Sequence, residues 1–109
     1  MPLFAVVNAQ GPNWQADRPM RSQSGWDDHA RFMDQLDEEG VVVLGGPLAP
    51  EPPHRALLIL RGESRARLRD RLAEDPWMRS GVLELGELWE WELLLGTLRS
   101  GAQRRLAES

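Results

Sequence analysis

Four apolar runs alternate with two stretches of helical periodicity along this chain, and their order restricts the folds open to it. LFAVVN (Leu3–Asn8), VVVLGGPL, ALLIL (Ala56–Leu60) and GVLELGELWEWELLL read as strands. Between the first two lies a helix ending near Glu39, with Ser24 as N-cap, Asp27 completing a capping-box-like pair and Gly40 as the stop. Between the last two lies a second helix, Arg65 to Glu74, which Pro76 ends. The order β-α-β-β-α-β predicts a ferredoxin-like α+β fold, an antiparallel sheet with two helices on one face. At 109 residues the chain is one domain. It spans residues 1–96, and the polar, Arg-rich stretch 97–109 reads as a tail, a frayed helix.

An antiparallel sheet with one wet face alternates apolar and polar residues. The first three runs are almost wholly apolar, so the face away from the helices needs a cover, and the chain has no spare element for it. A second copy supplies one, which predicts a homodimer through the sheet faces. In the last run Leu83, Leu85, Trp89, Trp91 and Leu93 share one parity, placing Trp89 and Trp91 in the core or the dimer seam. Glu84, Glu90 and Glu92 then belong at the rim or beside arginines.

Composition narrows the chemistry. The net charge is −4, which favours neither nucleic acid nor an anionic membrane as a partner. Every basic residue is arginine, so Schiff-base and amine-nucleophile chemistry is absent, and without cysteine so are thiolate catalysis, disulfides and zinc–sulfur sites. With only His29 and His54, no metal site within one chain is expected, and no cofactor. LFAVV is too short for a signal sequence or a membrane span, and a cytoplasmic protein is expected.

Chain tracing brings particular residues together. If the first strand points up, the first helix starts at the top and the second helix ends there. The connections Ala9–Gly25, Gly46–Arg55 and Asp75–Gly81 share that end. On a helical wheel Trp26, His29, Ala30, Phe32, Met33 and Leu36 form the apolar stripe, so the His29 imidazole points at the sheet. Asp75 arrives at the same rim. A buried imidazole needs a partner. A carboxylate would set its tautomer, and with an ordinary pKa near 6.5 such a histidine could move protons at neutral pH. A satisfied structural histidine is the competing reading, and the two stand about even.

Other residues at this rim are weaker candidates. Gly46 and Pro47, after Gly45, end a strand in a turn that also lets a ligand approach the backbone. The loop Gln10–Gln23 carries Trp14, Arg18 and Arg21, and arginines there could clamp an anionic group. Trp77 sits in an upper loop and could wall a pocket. His54, in a proline-rich loop, reads as solvent-exposed, and the run Arg65, Arg67, Arg69 and Arg71 as a solvated helix face.

Two segments, RPMRSQSGWDDHARFMDQLDEEGVVVLGGPL and LAEDPWMRSGVLEL, resemble the YciI-like (YCII-related) family. The resemblance covers roughly residues 3–95 and rests on W-x-x-H-x-x-F-M-x-x-L, G-x-x-x-x-G-G-P-L and A-x-D-P-W in that order. It implies a dimeric ferredoxin-like α+β barrel, related to muconolactone isomerases and small monooxygenases, and a His–Asp pair carried here by His29 and Asp75. Aromatic-ring degradation is a context of the wider group. The long loop Gln10–Gln23 and the tail after Gly96 depart from shorter members. The expected function is a cofactor-independent enzyme. His29 acts as acid or base on a small cyclic or aromatic substrate, Asp75 orients it, Trp26 and Trp77 form walls, and Arg18 or Arg21 holds an anionic group. The alternatives are a non-catalytic ligand-binding or accessory dimer module and a purely structural dimer subunit.

Overall fold

The computed structural model of the protein describes residues 1–48 and 51–96. Its elements are β1 (Leu3–Gln10), α1 (Trp26–Glu38), β2 (Val42–Pro47), β3 (Arg55–Arg61), α2 (Arg65–Leu72), α3 (Pro76–Ser80) and β4 (Leu83–Trp91), with a 3-10 turn at Met20–Ser22. The strands form one antiparallel sheet in the order β2-β3-β1-β4. With the helices packed against one face, this is the ferredoxin-like α+β architecture. The expected tail 97–109 lies outside the described residues.

The two periodicities meet in the core. Phe4 and Val6 of β1, Leu58 and Leu60 of β3 and Leu88 of β4 point at the helices, which answer with Leu36 of α1 and Leu68 and Leu72 of α2. Each such side chain contributes about 1.5–3 kcal/mol on burial, and together they fix the lower half of the sheet. On the outer side of α2, Arg67 pairs with Glu63 at 2.9 Å and Arg71 with Glu39 at 3.1 Å. Exposed pairs of this kind are worth about 0.2–1 kcal/mol. Among the described residues no helix is long and apolar enough to cross a membrane.

Three local expectations change. Gly25, not Ser24, occupies the N-cap of α1, at φ 80°, and no side chain caps it. The carbonyl of Ser24 instead accepts the indole N–H of Trp77 at 2.8 Å. A Cβ on Gly25 would lie 3.5 Å from that indole nitrogen. Pro76 does not simply end α2, whose last residue is Leu72. It begins α3, where its missing N–H costs nothing, and Asp75 caps that helix by accepting the Trp77 backbone N–H at 2.9 Å.

The third change is in β4, which stops at Trp91 and does not keep one parity. Val7 pairs with Glu87 and Asn8 with Leu85, so Gly86 is the extra residue of a bulge. A side chain there is excluded by close approach, since a Cβ would sit 2.8 Å from the Val7 carbonyl oxygen. Leu83 faces the helices before the bulge and Leu88 after it, while Trp89 and Trp91 turn to the outer face, 57% and 46% exposed. Glu84, Glu90 and Glu92 are exposed. That outer face also gains a cover from within the chain. Beyond β4, Leu93 and Leu95 line a shallow depression with Leu44, Leu57 and Ile59, and Ile59 is 3% exposed.

Candidate functional site

Higher on the sheet the leucine-rich core gives way. The inward positions there are Asn8 of β1, Ala56 of β3 and Pro47 of β2, which are paired neighbours. These residues are too small or too polar to fill the space beneath α1. A cavity of about 490 Å³ results, between the inner face of the sheet and α1, which lines it from Trp26 to Asp37 and adds the carboxylates of Asp34 and Asp37 to its wall. Its size lies within the range of small-molecule sites. Trp26, His29, Trp77, Gly46, Pro47 and His54 all line it. A Cβ on Gly46 would meet nothing within 4 Å, so the chain is open to close approach there.

His29 sits in the second turn of α1, and its imidazole is almost wholly buried. Nδ1 lies 2.8 Å from Oδ2 and 3.0 Å from Oδ1 of Asp75. A carboxylate only accepts, so the Nδ1 proton donates to Asp75, and in the neutral ring the lone pair is left on Nε2. The ring lies flat on the indole of Trp77, centroids 4.0 Å apart and planes 7° from parallel, with Trp26 tilted against it at 5.8 Å. Trp77 is itself held at both ends, by Asp75 at its backbone N–H and by Ser24 at its indole N–H. The ring therefore has a fixed plane, a fixed tautomer and one free nitrogen.

The long loop is folded back on itself. Buried Gln23 accepts from the Gln15 backbone N–H and donates to the carbonyls of Gln15 and Arg18, each at 2.8 Å. Gly11 and Asn13 donate from their backbone N–H groups to Val82 and Gly81, tying the loop to the turn after α3. This places Trp14 over His54, the rings stacked at 4.3 Å and 12°.

His54 is thus not an exposed loop residue. It is half-buried, its backbone N–H donates to the Gln10 side chain at 3.0 Å, and its ring joins the cavity wall. The sequence held no local sign of this beyond a tryptophan in the facing loop. Burial pushes the His54 imidazole below its ordinary value near 6.5, and the charge of neighbouring His29 adds to the effect. The unfolded chain therefore takes up a proton at His54 near pH 6.5, whereas the folded chain does so only at lower pH. Between those points the unfolded state binds more protons, so this residue's contribution to stability falls as pH drops below about 6.5. Urea midpoints measured from pH 7.5 down to 5 are expected to fall more steeply for the wild type than for His54→Gln. Parallel curves would contradict this.

The arginines are placed elsewhere. Arg18 lines an adjoining depression on the far side of Met20 and His54, and Arg21 is exposed, 5.9 Å over the Trp26 ring. Neither lines the cavity at His29, so neither is set to clamp an anion held against that ring. Among the described residues no group of three histidine, aspartate or glutamate side chains is arranged to hold a metal ion.

A family model described as the YCII-related domain matches residues 3–92. Among solved structures, the chain is similar to 5-chloro-2-hydroxyhydroquinone dehydrochlorinase from Burkholderia phenoliruptrix in complex with 2,5-dihydroxybenzoquinone. The TM-score is 0.51 at 19% identity, over 90% of this chain and 99% of that one, a likeness of fold. No curated protein sequence matches the chain.

Proposed function

Since the chain belongs to the family of YCII-related domains, we propose that the cavity above His29 is the active site of a small acid–base enzyme acting on a hydroxylated six-membered ring without a cofactor. The observation that carries this reading is the buried His29–Asp75 pair, 2.8 Å apart, whose free Nε2 belongs to a ring on the cavity wall. Held in this tautomer, Nε2 accepts a proton from a ring hydroxyl or ring carbon and returns it to a leaving group or a neighbouring atom. Proton transfer and elimination need nothing more than such a group. Trp26 and Trp77 offer flat apolar walls, and Gly46 and Pro47 form the rim. The dehydrochlorinase that shares the fold binds a dihydroxyquinone, which supports the choice of ligand class. Titrating 2,5-dihydroxybenzoquinone into the labelled protein is expected to shift the His29 ring and Trp77 indole resonances. No shift at either, or shifts confined to the outer sheet face, would count against the assignment.

We also infer a homodimer through the outer sheet face. Trp89, Trp91, Leu44 and Leu95 remain between 46% and 65% exposed on this side of a single chain, and such a patch marks an interaction surface. Sedimentation should give twice the 12.4 kDa chain mass for the wild type and the single chain mass for Trp91→Glu with Leu95→Glu. A wild-type monomer would remove the inference.

A further inference from the structure

Two imidazoles line the cavity, and only that of His29 has been given a task. Each is backed by an indole. His29 lies on Trp77, and His54 lies on Trp14 with centroids 4.3 Å apart and planes 12° from parallel. The two indoles meet edge to face, 6.1 Å apart at 80°. The imidazoles therefore stand steeply to each other, as two walls of one corner. They differ in what holds them. Asp75 occupies Nδ1 of His29. His54 is fixed through its backbone, which exchanges hydrogen bonds with Gln10 at 3.0 and 3.2 Å. Among the described residues nothing hydrogen-bonds to either nitrogen of its ring. Nor is either nitrogen both enclosed and unpaired, a condition that the Asn8 oxygen alone meets among those residues. The ring is half-buried and open to what enters the two depressions it lines. Its lowered pKa keeps it neutral, and so able to accept a proton, at pH 7. Arg18 and Glu51 share the outer depression with it. Asp34 and Asp37, both exposed, lie on the cavity wall about 8 and 12 Å further along α1 than His29. Carboxylates at that end repel a ring oxygen as it becomes anionic, which turns the hydroxyls of a ligand toward the imidazoles.

We propose that His54 is a second catalytic base of the cavity, receiving the proton of the ring hydroxyl that His29 does not reach. This rests on the reading of the cavity as an acid–base site and deepens it by dividing the proton transfers between two side chains. A nitrogen takes a proton over about 2.6–3.2 Å, whereas the two oxygens of a para-dihydroxylated ring stand on opposite sides of six carbons. In chlorohydroquinone, His29 Nε2 takes the proton of the hydroxyl beside the chlorine and returns it to the carbon bearing the chlorine. The O–H pair becomes the π bond of a ketone, and a ring π pair forms the new C–H bond. His54 then takes the proton of the second hydroxyl. That pair becomes the second ketone, the enol π pair moves one bond along to the carbon bearing the chlorine, and chloride leaves with the C–Cl pair. The products are benzoquinone, chloride and one proton on His54, which solvent removes. His29 ends as it began.

Chloride release from chlorohydroquinone, followed under nitrogen, tests this division. His54→Phe keeps a ring against Trp14 and removes both nitrogens. Its kcat is expected to fall about 10²- to 10⁴-fold, with little change in KM or in the urea midpoint at pH 7.5. His54→Ala leaves room for an added azole. Imidazole is expected to restore chloride release to this variant, and 1,2,4-triazole, alike in shape but a much weaker base, is not. Equal rescue by the two azoles means that His54 only fills space, and overturns its role. Chloride release by His54→Phe at the wild-type rate, with His29→Ala inactive, also overturns that role and leaves the acid–base reading intact. No chloride release by the wild type overturns the two together.

Discussion

Asp75→Ala is expected to destabilise the protein by about 2–5 kcal/mol, a large share of the roughly 5–15 kcal/mol available to a domain of this size. The carboxylate serves two buried donors at once, the His29 imidazole and the Trp77 backbone N–H at the start of α3. Losing a helix cap costs about 0.5–2 kcal/mol, and stranding a buried N–H adds about 1–3 kcal/mol. Asp75→Asn separates the two duties. Its carbonyl still caps α3, but its amide group presents hydrogens to Nδ1, which favours the other tautomer and puts the proton on Nε2. The asparagine variant should therefore keep most of the stability and lose most of any proton-transfer activity. Urea unfolding of both variants tests the first half. If Asp75→Ala unfolds like the wild type, the carboxylate is not holding the site together.

The second large effect is expected at His29. If its Nε2 accepts and returns the substrate proton, His29→Ala should lower kcat by about 10²- to 10⁴-fold with little change in KM. Chloride release from 5-chloro-2-hydroxyhydroquinone, the compound in the name of the similar solved structure, is the assay of choice. The alanine variant vacates the face of Trp77 but leaves Asp75 bonded to the α3 backbone, so it is expected to fold. Matching rates in His29→Ala and wild type would show that the chemistry, if any, lies elsewhere in the cavity.

The meeting of His29 with Asp75 was legible because it depends only on which end of each element lies at which end of the sheet. A wheel gives the inward face of α1, and the crossing order puts both residues at one rim. The errors lie where two local codes share the same letters. Asp-Pro serves equally as the stop of one helix and as the N-cap and first residue of the next, and only the three-dimensional path of the chain, turning at Asp75, decides between them. Ser24 was the better cap by side chain, but its carbonyl is taken by Trp77, which arrives from 53 residues away. His54 was misplaced for a similar reason. Its burial comes from Trp14 in a loop whose shape is set by Gln23, and no periodicity describes such a loop. Arg18 and Arg21 followed the loop away from the cavity for the same cause.

The bulge at Gly86 has a consequence for how β4 can vary. Up to that glycine the strand keeps time with one interior, and after it with another, so the same ribbon furnishes leucines to the helices and tryptophans to the opposite surface. Were Gly86 instead drawn into the ladder as an ordinary rung, the strand beyond it would exchange its two allegiances. Leu88 would be turned outward and two indoles driven toward a core sized for leucine. In this fold the sorting of β4 side chains between the helix face and the outer face is delegated to one residue without a side chain.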